Sequence, residues 1–186
     1  MTLSGLTRSA SKGATVSFSQ NYTLTSSGNL GLLVDGVATG RSENILITGG
    51  LSLTNNIVGP WAVVGGYFNT SPLELASYNS ALGVGGLNLA GYAGYDGISL
   101  PASSNAAGNY RITASAAIPS GGLILNTLNA VNTAASTNLD LTFAAANDVL
   151  NLASGGLMVQ NINATSGVSS IGTTALPGRL TAGGAS

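Results

Sequence analysis

The sequence predicts an all-β chain, a β-solenoid, and the prediction rests on three observations. From Asp148 to Gly184 short apolar pulses (Val149-Leu150-Leu152, Leu157-Val159, Ile162, Val168-Ile171, Leu180) alternate with two to five residues of Gly, Ser, Thr, Asn or Ala. Alternation of this kind suits strands with one buried face, and no pulse is long enough for a helix. Charged residues are 6% of the chain while apolar residues are 44%. The surface must therefore be built from hydroxyls, amides and glycine. Stacked strands suit such a surface, because these groups can bond to the turn above and below.

Taken in order, the first strand expected is Ala14–Ser19, with Val16 and Phe18 on one face. Leu30–Val34 and Glu43–Thr48 follow, joined by the turn formers Asp35-Gly36 and Thr39-Gly40. The opening Gly-Gly-Leu then recurs, with its leucines at 51, 87, 123 and 157, spacings of 36, 36 and 34. That spacing predicts a repeat of two turns of roughly 18 residues each. Residues 56–99 break the rhythm and hold six of the ten aromatics (Trp61, Tyr67, Phe68, Tyr78, Tyr92, Tyr95). They are expected to form an irregular side excursion, with a short helical turn at Ser71–Ala76. Strands resume at Tyr110–Ala114, Gly122–Leu128 and Asn138–Phe143. A single solenoid domain over 1–186 is expected, with Thr181–Ser186 ending on uncapped strand edges that more chain or another copy would cover.

Composition excludes several functions. The formal charge is −1, from five basic and six acidic residues, so there is no basic face for nucleic acid or anionic lipid. The chain has no cysteine and no histidine, which removes disulfides, zinc fingers and Cys- or His-based catalysis. No apolar run is long enough to span a bilayer as a helix, although mean hydropathy is +0.36. The residues after Met1 show no signal peptide, which leaves a cytosolic chain or a segment of a longer exported one as expectations. Neither cofactor nor metal is implied.

Several short motifs are in order along the chain: Leu6-Thr7-Arg8, Gly13–Phe18, Asn44–Thr48, Leu53–Ala62, Phe68, Tyr78, Gly83-Val84, Leu150–Leu157 and Gly178–Gly183. This order resembles the autotransporter-associated β-strand repeat proteins of bacterial surfaces. The resemblance implies a right-handed parallel β-helix, secreted or displayed at the cell surface, serving as an adhesin-like stalk. The signal, the outer-membrane barrel and the further repeats of that family have no counterpart in this sequence.

Four candidate sites stand beside plainer readings. Gly91–Ser99 resembles one calcium-binding nonapeptide with Tyr92 in place of a glycine. Its neighbours LGVGGLNLA and LPASSNAAG supply no Asp, so an ordinary Gly-rich turn is favoured. Among the carboxylates Asp35, Glu43, Glu74, Asp96, Asp140 and Asp148, the pair Asp140 and Asp148 could border a groove as in a glycosidase. Arg111 and Arg179 stand apart from them, and solvated turn carboxylates are the better reading. Trp61, Tyr67, Phe68, Tyr78, Tyr92 and Tyr95 form either a stacking platform for sugar rings or a small core under the excursion. Sequons at Asn21, Asn69 and Asn163 are expected by chance in such a composition. The function expected is a non-enzymatic structural segment. The alternatives are self-assembly into a filament through its open ends, with itself as partner, or binding of a surface glycan or matrix.

Overall fold

A computed structural model describes residues 2–6, 15–18, 46–65, 72–162 and 167–183. Among these residues the fold is all-β, with parallel sheets and no helix. The expected strand Leu30–Val34, the carboxylates Asp35 and Glu43, the aromatics Tyr67 and Phe68, and the asparagines Asn21, Asn69 and Asn163 lie outside the described residues. Two compact units are formed, Met1–Gly94 and Tyr95–Ser186.

In the first unit, β1 (Thr2–Leu3) pairs parallel with β3 (Leu46–Ile47), and β2 (Val16–Phe18) pairs parallel with β4 (Ala62–Gly65). The pairing then changes direction. Strand β5 (Leu73–Asn79) runs antiparallel to β4 and to β6 (Gly83–Gly86). The turn between β5 and β6 is set by Asn79, whose Oδ1 accepts from the backbone N–H of Ala81 at 2.8 Å and of Leu82 at 3.2 Å. This is the local Asn-to-backbone bonding that favours turns. Ile47, Ala62, Val64, Ala76 and Val84 make the core, with Leu6, Val16, Phe18, Leu51, Val58, Trp61 and Tyr78 packed against it.

The helical turn expected at Ser71–Ala76 is corrected: Leu73–Ala76 belong to strand β5. Leu75 lies opposite Val63 on one side and Ala76 opposite Gly86 on the other. The helix-favouring Leu-Glu-Leu-Ala composition is a weak prior, and a strand paired along both edges outweighs it.

In the second unit the strands alternate between two sheets. Strands β7 (Asn105–Ile112), β9 (Leu123–Asn132), β11 (Val149–Asn161) and β13 (Arg179–Ala182) stack in that order, all parallel. Strands β8 (Ala116–Ile118), β10 (Leu139–Phe143) and β12 (Ser169–Ile171) form the second parallel sheet. Both sheets turn alternate side chains into one core: Ile112, Leu123, Leu125, Leu128, Leu150 and Leu152 from the first, Ile118, Leu139, Leu141 and Phe143 from the second. The long strands bend where the register shifts, between Leu152 and Gly156 against β9 and between Asn105 and Asn109 on β7.

The Gly-Gly-Leu period is also corrected. Leu123 lies opposite Leu150, and Leu157 lies opposite Leu128, so the leucines of successive Gly-Gly-Leu motifs are not in register. Equivalent positions are instead 18 residues apart at Tyr110 and Leu128, 27 at Leu123 and Leu150, and 30 at Leu150 and Leu180. The motif also lacks a common conformation. Gly121 and Gly122 are both left-handed, with φ of 90° and 82°, while Gly85-Gly86 is extended within β6. A Cβ at Gly122 would collide with the backbone of Val149, so only glycine fits there.

Candidate functional site

The described aromatic residues each have a setting of their own. Trp61 is half-buried just before β4, packed on the first unit's core, and its indole lies so close over Gly59 that a Cβ there would strike the ring. Tyr78 packs on the same core. Its hydroxyl accepts from the N–H of Ile47 at 3.3 Å and donates to the carbonyl of Ile47 at 3.1 Å, which ties β5 to β3. Tyr92 donates to the carbonyl of Gly83 at 3.1 Å, and its ring covers Gly85. Tyr95 belongs to the second unit, where its hydroxyl accepts from Asn129 Nδ2 at 3.1 Å. Trp61 and Tyr78 are thus brought together against one core, and all three described hydroxyls of the candidate set are bonded within the chain.

The described carboxylates have separate settings. Asp148 is buried at the turn before β11, where its oxygens accept from the N–H of Gly121 at 2.9 Å and of Ala145 at 2.7 Å. Asp140 sits in β10 and accepts from Ser170 Oγ at 2.6 Å. The candidate pair therefore occupies two settings, a buried turn and a strand face. Asp96, the carboxylate of the calcium-like loop, accepts from the N–H of Asn109 at 2.8 Å, and its own N–H donates to the Asn109 carbonyl at 2.8 Å. Glu74 is buried in β5. Among the described residues no three acidic side chains gather into a metal-binding group.

A further polar feature is one that sequence reasoning did not single out by residue. Asn109 is 0% exposed, and its Oδ1 accepts from Asn126 Nδ2 and from Thr127 Oγ1, both at 2.7 Å. Gln160 Nε2 donates to Asn129 Oδ1 at 2.7 Å, and Ser154 Oγ donates to the carbonyl of Asn126 at 2.9 Å. These bonds run from β7 to β9 to β11, across the stack rather than along a strand. A second row is in register on the other sheet: Ser115 Oγ accepts from the N–H of Asp140 at 2.9 Å, and Asp140 in turn holds Ser170. The signal available in the sequence was the run of amides at 109, 126, 129 and 132 inside otherwise apolar strands. Buried amides of that kind must be paired.

At the last strands the core rows come to the surface. Along the row Leu123, Leu150, Leu180 exposure goes from 1% to 0% to 48%. Val168 and Leu176 flank the same strands and are also exposed. On the outer face of β13, Thr181 Oγ1 is buried without a hydrogen-bond partner, as is Oδ1 of Asn151 opposite it. Comparison with known proteins gives no match to a family model, to a curated protein or to a solved structure.

Proposed function

We propose that the chain is a right-handed parallel β-helix acting as a non-enzymatic, adhesin-like structural segment of a bacterial surface protein. The observation that carries this reading is the set of rows that link successive parallel strands: the apolar row Leu123–Leu150–Leu180 on the core face and the amide and hydroxyl rows through Asn109, Asn129 and Asp140. Two alternating parallel sheets that share one core support a closed coil, in which each turn lies on the one before. Right-handedness is supported by the strong preference of parallel crossovers for that hand.

Several features favour a structural role over catalysis. Asp96 and Asp148 each hold backbone N–H groups of the chain itself, and Asp140 holds Ser170. The order of motifs, which resembles that of autotransporter-associated repeat proteins, favours secretion or surface display. The test is antibody labelling of the source cells before and after permeabilisation. Labelling of intact cells that is removed by external protease is expected. Labelling seen only after permeabilisation would sink the surface assignment.

A further inference from the structure

We infer that β13 is an assembly site for a second copy of this chain, which seats its own β2 on β13 and its β1 on β12. The inference rests on the solenoid reading and adds to it a partner, a polarity and a register.

The site is defined first by backbone groups. Arg179 N–H donates to the Asp148 carbonyl at 2.9 Å and Gly183 N–H to the Leu152 carbonyl at 3.0 Å. Groups alternate along a strand. The Leu180 carbonyl and the Ala182 N–H therefore point away from β11, and among the described residues β13 has no strand on that side. The usual protections of an edge are weak here. Arg179 is the one charged residue between Gly167 and Gly183, and Leu180, Val168 and Leu176 are all exposed.

The matching edge is β2, which among the described residues has a strand, β4, on one side only. Val16 N–H donates to the Trp61 carbonyl at 2.9 Å, so Val16 and Phe18 face β4 with their backbone groups while Ser17 points its own away. In a parallel ladder such a residue bonds the two flanking one residue of its partner. Ser17 N–H would donate to the Leu180 carbonyl, and the Ser17 carbonyl would accept from Ala182 N–H, which places Ser17 over Thr181. Two side-chain matches follow from that single register. Half-buried Val16 covers exposed Leu180, and half-buried Phe18 covers the small, exposed Ala182. Chain order agrees as well. After β13 a growing stack needs a strand over β12 and then one over β13, and β1 and β2 come in that order. Because the two surfaces differ, the contact is heterologous and propagates unless rotation closes it into a ring.

The experiment is sedimentation velocity with electron microscopy of the whole chain over a range of micromolar concentrations. The wild type is expected to grow with concentration into rods longer than one copy. Ala182→Pro removes an outward N–H and leaves the β11 ladder intact, so it blocks the β13 end; Ser17→Pro blocks the β2 end. Each should weaken association by about tenfold or more, the equivalent of one lost ladder bond. Mixed together, the two variants should form one-to-one pairs and stop, because one intact β2 end then meets one intact β13 end. Leu180→Lys serves in place of Ala182→Pro if the proline variant fails to fold. A wild type that stays monomeric overturns the inference, and so does association of Ser17→Pro as tight as that of the wild type, which would place the contact elsewhere than β2. Hydrogen exchange separates this failure from failure of the solenoid: protected amides at Leu150–Leu152 in a monomeric wild type leave the coil standing without the assembly site.

Discussion

Replacing Asn109 with leucine tests whether the buried amide row holds the turns together. Its Oδ1 is the acceptor for two donors, Asn126 Nδ2 and Thr127 Oγ1, each at 2.7 Å, and Asn109, Asn126 and Thr127 are all buried. Leucine has the same branched outline, though its methyl groups are bulkier, and it accepts no hydrogen bond, so both donors lose this partner without access to water. Each unsatisfied buried group costs about 1–3 kcal/mol, and the pair sums to about 4 kcal/mol. With a urea slope of about 2 kcal/mol per molar, the unfolding midpoint should fall by about 2 M. The loss belongs to unmet donors rather than to lost volume, so it should be partly reversible. Thr127→Val in the Asn109→Leu background removes one of the two donors and should restore about 1–2 kcal/mol, although Thr127→Val alone destabilises. Urea titrations of the four proteins, followed by circular dichroism, give this cycle. A midpoint change below about 0.5 M in Asn109→Leu, or strictly additive losses, would refute the argument.

Other substitutions probe the core rows and turns. Leu150→Ala should cost about 3–4 kcal/mol and Leu180→Ala about 1 kcal/mol, since Leu150 is sealed on both sides while Leu180 is 48% exposed; equal urea midpoints for the two would contradict the row as drawn. Gly122→Ala should lose at least about 2 kcal/mol in thermal denaturation, because it combines a left-handed φ of 82° with a collision against Val149; a wild-type melting temperature would mean that this turn has a different shape. Trp61→Ala should destabilise by about 2–3 kcal/mol, as expected for a half-buried ring packed on Val64 and its neighbours; a glycan-binding loss with unchanged stability would instead favour the sugar platform.

Much of the second unit was legible in the sequence. The apolar alternation of Asn138–Phe143 marks β10 almost to the residue, and the pulses at Val149–Leu152 and Leu157–Val159 both fall within β11. The low charge and many hydroxyls anticipated side-chain bonds across the strands, and Asn126, Ser154, Gln160 and Ser170 make bonds between neighbouring parallel strands. The register was not legible, because Gly-Gly-Leu recurs in different conformations and the connections between strands vary in length. Strand β5 was misread because Leu, Glu and Ala favour helix locally, whereas its state is decided by Val63 and Gly86, ten or more residues away. The roles of the tyrosine hydroxyls were hidden for a similar reason. Tyr78 bonds Ile47, 31 residues earlier, and Tyr95 bonds Asn129, 34 residues later.

The variable spacing between equivalent positions has a mechanical consequence. The strands of the second unit lie side by side, so a pull that draws their ladder apart peels off one strand at a time rather than shearing every bond at once. The stretch from Leu123 to its partner Leu150 is 27 residues, and Leu150 to Leu180 is 30. Each strand adds only about 4.8 Å to its sheet, while the chain between partners spans about 90–105 Å when extended. Sheets built this way would yield in long discrete steps under load, each step releasing roughly twenty times the width it gave up. Connections of unequal length make those steps unequal, so the force record of a single molecule would carry the order of its strands.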